Sequence, residues 1–200
     1  VRHTPVTDTF LNERVCELPC WQNITPGVTS YFEGMKIIKH FNLAENFDND
    51  ELRGSGNYHS AFRWDFIKLD PSTTVNDGGF FIKEANEELI SYINISFHFS
   101  FMSLQDFVLL YGEPDRVGFS LDFNTHPPLS KFYLIDLIYD EENTMVTVFT
   151  IQKRSKLMID ENAIVLEITI PEKDRFKDYV YHKTIDWNGY GDYAFLIEIE

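Results

Sequence analysis

Residues 92–99, YINISFHF, alternate without a break: Ile93, Ile95, Phe97 and Phe99 point one way, and Asn94, Ser96 and His98 point the other. A period of two suits a half-buried β-strand and no helix. The pattern returns in AIVLEITI, residues 163–170, where Ile164, Leu166, Ile168 and Ile170 oppose Glu167 and Thr169. FYLIDLIYDEENTMVTVFTIQ reads as two further strands joined by a turn at Asp140 to Asn143. HSAFRWDFIKL and DYAFLIEIE are additional strand candidates. The 18 Phe and 10 Tyr in 200 residues favour packed sheet over a helical bundle. A hydrophobic fraction of 44% supplies a real core and excludes disorder of the whole chain.

Only two segments carry a helical period. In TSYFEGMKIIKHF, Ser30 followed by Glu33 fits a capping box, and Tyr31, Met35, Ile38 and Phe41 form one stripe with Ile37 beside it. In MSLQDFVLLYGEPDRV, Ser103 and Asp106 repeat the cap, Leu104, Phe107, Val108 and Tyr111 form the stripe, and Gly112 followed by Pro114 ends it. The order is therefore helix, strands, helix, strands. The pattern predicts an α+β protein, with antiparallel sheet carrying two capped helices on one face, arranged as tandem helix-plus-meander halves. The expected organisation is an N-terminal arm at 1–23, a first half at 24–100 and a second at 101–200, or one continuous domain spanning both halves.

The segments ITPGVTS, before the first helix, and LLYGEPDRV, ending the second, resemble the outer-membrane assembly lipoproteins of the SmpA/OmlA type. There a G-x-T start, an amphipathic helix and an L-G-x-P-x-x-V finish precede a small antiparallel sheet. Here Gly27 and Thr29 carry the start, and Leu110, Gly112, Pro114 and Val117 the finish. The layout is also similar to the beta-lactamase inhibitor protein, which resembles two such units in tandem. The opening LPCWQNITPGVTS, with the later YGEPDRV, resembles uncharacterised exported bacterial proteins. That resemblance implies export and no particular activity.

Cys16 and Cys20, the only cysteines, leave three readings open. A disulfide clasp requires the backbone to turn at Pro19 and an oxidising compartment. Alternatively, both are buried free thiols, or they are half of a metal site, although the six histidines offer no paired ligand spacing. The polar stretch before them reads as an arm, suited to follow an export signal or an upstream lipid anchor.

A formal net charge of −15 with no basic run disfavours nucleic acid and anionic lipid heads as partners. No apolar run reaches the roughly 20 residues of a membrane-spanning helix. There is no phosphate loop, dinucleotide fingerprint, Gly-x-Ser-x-Gly elbow or His-Glu-x-x-His. DNDELRGSG, residues 48–56, lacks the glycine and twelfth acidic residue of a calcium loop and reads as a solvated loop. No catalytic residue, metal ligand set or cofactor is expected.

Two binding candidates remain. Tyr92, Asn94, Ser96 and His98 would form a row on an open sheet face, and Trp187 and Tyr190 in DWNGYGDY would form a ligand loop. The expectation is an exported, extracytoplasmic bacterial interaction or scaffold module, secreted or anchored as a lipoprotein, with a protein or cell-envelope component as partner. The alternative is an extracytoplasmic small-molecule or carbohydrate binder using the aromatic loop.

Overall fold

The computed structural model of the chain describes residues 15–53, 58–67, 77–84, 86–97, 102–123, 132–153, 156–180 and 183–193. In chain order come helix α1 (Tyr31–His40) and strands β1 (Ala44–Arg53), β2 (Tyr58–Phe66), β3 (Gly78–Glu84) and β4 (Tyr92–Ser96). Helix α2 (Leu104–Tyr111) follows, then β5 (Arg116–Phe123), β6 (Phe132–Tyr139), β7 (Thr144–Lys153), β8 (Lys156–Ile159) and β9 (Ile164–Pro171). A 3-10 turn (Lys173–Arg175), one helical turn α3 (Phe176–Tyr179) and the short strands β10 (Thr184–Asp186) and β11 (Gly191–Asp192) complete the described chain. The strands form one antiparallel sheet in the order β1-β2-β3-β4-β9-β7-β6-β5-β10, with β8 leaving that path to pair with β7 and β11.

Residues directly opposite one another across a ladder share a face. One face carries Phe62, Phe81, Ile93 and Ile170 in one row. A second row on it runs Trp64, Gly79, Ile95, Ile168, Val146, Leu137, Val117. All of these apolar side chains are buried, and α1 and α2 pack over them in a single core. In α1, Tyr31, Gly34 and Ile38 are the buried positions, and the Ser30 hydroxyl accepts the Glu33 N–H at 3.2 Å. In α2, Leu104 and Phe107 are buried, and the Ser103 hydroxyl accepts the Asp106 N–H at 3.2 Å. Gly112, at φ +86°, closes α2 in a conformation that costs other residues dearly.

Helix α1 lies close on β3 because Gly34 has no side chain. A Cβ there would sit 2.6 Å from Ile90 Cδ1 and 3.1 Å from Phe81 Cζ. Gly34→Val is therefore expected to destabilise the fold by about 2 kcal/mol through overpacking, read from the shift of the urea midpoint. An unchanged midpoint would mean that α1 does not approach β3 this closely.

Tyr31 ties α1 to the edge strand, its hydroxyl donating to Asn49 Oδ1 at 2.6 Å. Burial, with Asp50 adding to it, pushes its phenol from 10.0 to about 12. Above pH 10 the unfolded chain ionises this group and the folded one does not, so its contribution is complete below pH 10 and is lost as pH rises through about 12. Tyr31→Phe is expected to lessen the loss of stability over that interval by on the order of 2 kcal/mol, measured by denaturant unfolding at stepped pH.

Cys16 and Cys20 are disulfide-bonded, with their Cα atoms 5.7 Å apart. Of the three readings open for this pair, the structure contains the covalent one. A tight hairpin follows, in which Trp21 and Ile24 exchange backbone hydrogen bonds of 3.0 and 2.8 Å around Gln22 and Asn23, both at positive φ. The hairpin seats Trp21 on Trp64, ring centroids 5.8 Å apart and planes 8° from parallel.

Two expectations are corrected. Residues 48–53, read as part of a solvated loop, belong to β1. Backbone pairing with β2 holds this acidic stretch in a strand, which an edge position permits. In β9 the alternation breaks. Thr147 faces Glu167 but Val148 faces Val165, so Leu166 is an inserted bulge residue. Val165 is consequently buried, and Ile164 is 42% exposed on the face opposite Ile168 and Ile170.

Two of the backbone bonds that seat α1 have counterparts at α2. Tyr31 N–H donates to Glu88 O and Leu104 N–H to Ala163 O, both at 2.8 Å. Ile90 N–H donates to Thr29 O and Val165 N–H to Met102 O, both at 3.0 Å. At the β4–β9 seam, Phe97 N–H donates to Leu166 O and Glu172 N–H to Ser91 O. Past the seam, Arg175 reaches Glu84, Glu87 and Glu172, fixing the 3-10 turn to the β3–β4 connection.

Candidate functional site

The face away from α1 and α2 is built from the alternate residues of the same strands. Across it, Arg63, Phe80, Asn94 and Thr169 lie side by side, as do Ser96, Glu167, Thr147 and Asp136. Ile82, Tyr92 and Pro171 form a neighbouring row.

Hydrogen bonds fix this polar floor. Ser96 Oγ donates to Asn94 Oδ1 at 3.1 Å, and Asn94 Nδ2 donates to Thr169 Oγ1 at 3.1 Å. Thr169 Oγ1 in turn donates to Glu167 Oε1 at 3.2 Å. One ladder further on, Thr147 Oγ1 donates to Asp136 Oδ1 at 2.6 Å. Asn94, Thr147, Thr169 and Asp136 are all buried, which makes these partners obligatory: a buried polar group left unmade costs about 1–3 kcal/mol. Ala61, Ile82 and Ile138 are buried on this side too, outside the main core.

Above the floor stand the more accessible side chains. Phe80 and Tyr92 are half-buried and meet edge to face, centroids 5.7 Å apart. The Arg63 guanidinium lies over Phe80, 5.5 Å from its centroid, and pairs with Asp50 at 3.5 Å. Both partners of that ion pair are 46% exposed, so it orients Arg63 more than it stabilises the fold. Ser96 and Glu167 are partly accessible beside them.

Tyr92, Asn94 and Ser96 thus share this face, whereas His98 lies outside the described residues. Trp187 and Tyr190 lie elsewhere, in the loop between β10 and β11. There Trp187 stacks on Tyr193, centroids 5.8 Å apart at 15°, and meets Tyr190 edge-on. The Tyr193 hydroxyl donates to Gly189 O at 2.6 Å, closing the loop on itself. Burial, then Glu161 and Glu113, raises the Tyr190 phenol above its ordinary value. These rings engage one another and the adjoining core, and the structure does not bring them to the sheet-face row.

No family model, curated protein or solved structure matches this chain. Among the described residues, no group of three or more His, Cys, Asp or Glu could hold a metal ion, and no helix is long and apolar enough to cross a membrane.

The sheet face has groups suited to binding. It offers two aromatic rings, a guanidinium, a carboxylate and a hydroxyl over a floor whose hydrogen bonds are internal. Sequence reading found the β4 members because they alternate along one strand. Arg63, Phe80, Thr147 and Asp136 escaped it because they are neighbours only through register. A lone Asp136 inside the apolar run YLIDLIY was the one signal available.

Proposed function

We propose that the protein is an exported bacterial interaction or scaffold module without catalytic activity, and that its partner docks on the sheet face away from the helices. The observation that carries this reading is the group Arg63, Phe80, Tyr92, Ser96 and Glu167 standing over a hydrogen-bonded floor. Side chains already held in place lose less entropy on binding, and aromatic residues and arginine dominate interface energetics. The Cys16–Cys20 bond supports an oxidising, extracytoplasmic setting. A net charge of −15 favours a protein partner with a basic surface over nucleic acid or anionic lipid.

The module is a tandem of two helix-plus-meander halves, in the manner of the SmpA/OmlA-type and beta-lactamase-inhibitor-like units. The paired bonds that seat α1 and α2 support this, as does a strand order in which β1-β2-β3-β4 and β5-β6-β7-β9 each run inward to the centre of the sheet, with β10 added beyond β5.

The test is retention of cell-envelope proteins on the immobilised module. A Phe80→Ala/Tyr92→Ala double variant is expected to weaken retention of the partner about ten-fold or more, while Phe32→Ala, on the exposed side of α1, leaves it unchanged. Equal retention by the double variant and the parent protein overturns the assignment of this face.

A further inference from the structure

A cleft of about 440 Å³ opens where β7, β8 and β9 meet, and the sheet-face reading makes no use of it. Phe149, Met158, Ala163 and Ile164 form its apolar wall. Asp160 and Asn162 stand at its exposed rim, where Asp160 is the one charged residue among the described lining.

Three observations give it weight. The first concerns β8. Strand β3 passes to β4 without an intervening strand, whereas β7 reaches the corresponding β9 only through β8 and its turn. The added segment supplies Met158, Asp160 and Asn162 to the cleft, so on the tandem reading proposed above the part of the second half that lacks a counterpart is the part that builds it.

The second is rigidity. Asn162 N–H donates to Asp160 Oδ1 at 2.8 Å, Ala163 N–H to Asp160 O at 3.0 Å, and Gln105 N–H of α2 to Glu161 O at 3.1 Å. The rim is held from both sides before any ligand arrives, which lowers the cost of binding.

The third is chemistry. Ile164 is 42% exposed, an apolar surface left in water at the cleft. The volume lies in the range of small-molecule sites, and Met158 can adapt to the shape of a guest. The carboxylate at the rim and the strongly negative whole-molecule charge attract cations and repel anions.

We propose that this cleft binds a small molecule composed of an apolar ring or chain bearing a protonated amine, the apolar part against Phe149, Met158 and Ile164 and the ammonium at the Asp160 carboxylate. Phe149 and Ile164 pair on the same sheet face as Thr147 and Glu167, so the cleft adjoins the proposed docking row, but none of its lining residues belongs to that row and each assignment is tested by its own variants.

The experiment is an amide NMR titration of the full ¹⁵N-labelled chain with phenethylamine, and separately with phenylacetate as the anionic control. Phenethylamine is expected to shift the amides of Thr150, Met158 and Ile164 saturably, and phenylacetate is expected not to. Asp160→Asn should weaken the amine about five-fold, the loss of one exposed charge contact. Because Asp160 also shapes its turn, Ile164→Trp is the second variant. It fills the mouth from an exposed position and should abolish the shifts while leaving the melting temperature unchanged. Absence of saturable shifts up to about 10 mM overturns the proposal. So does equal binding of phenylacetate, or undiminished binding in Ile164→Trp.

Discussion

Trp64→Ala is expected to remove about 3–5 kcal/mol of stability, a large share of the roughly 5–15 kcal/mol that holds a domain together. Trp64 is 2% exposed and is enclosed by rings on several sides: Trp21 stacked at 5.8 Å, Phe81 at 5.8 Å and Phe62 at 6.3 Å. Below it lies Gly79, where a Cβ would fall 2.4 Å from the indole Cζ2. Truncation leaves a void that these partners cannot close, because each is pinned to its own strand or to the clasp. Urea unfolding measures the loss, and the emission of Trp21 should change with it, since Trp64 is its stacked neighbour. A loss below about 1 kcal/mol would mean that this aromatic cluster is not a centre of the core.

The second large effect concerns the clasp. Replacing both cysteines, Cys16→Ser with Cys20→Ser, is expected to cost about 2 kcal/mol, the chain-entropy value for so short a loop. The cost reaches beyond the loop because the bonded turn delivers Trp21 to Trp64 and to Phe41 and Phe66, at 5.7 and 6.2 Å respectively. Reductant should produce the same shift in the parent protein and none in the double variant. Intact mass after denaturing alkylation of the unreduced protein should show no added groups. Two added groups would remove the clasp and, with it, the main support for an extracytoplasmic setting.

The sequence made the central strands legible because apolar and polar residues alternate along them. YINIS places Ile93 and Ile95 in the core, and the register carries that face outward to Phe81 and Ile170. It made the helices legible through Ser30 and Ser103, each followed at the third position by an acid. It misled where a single residue was inserted. The bulge at Leu166 reverses the facing of Ile164, and no periodicity within AIVLEITI announces it. It was silent about β1, whose residues 48–53 look like loop because an edge strand is held by its backbone more than by apolar side chains. The candidate face was half visible for the same reason. Tyr92, Asn94 and Ser96 share a strand, but Phe80, Arg63, Glu167 and Thr169 join them only when β3, β2 and β9 are placed alongside.

The central claim is that the partner meets this face. Site-specific photocrosslinking in the source cells addresses it most directly, with a benzoylphenylalanine at position 80 in one variant and at position 32 in another. Phe80 stands on the proposed face, and Phe32 is 75% exposed on α1 at the helical side. The expected result is a discrete adduct from position 80 and none from position 32. An adduct from position 32 alone would place the partner on the helices and contradict the account.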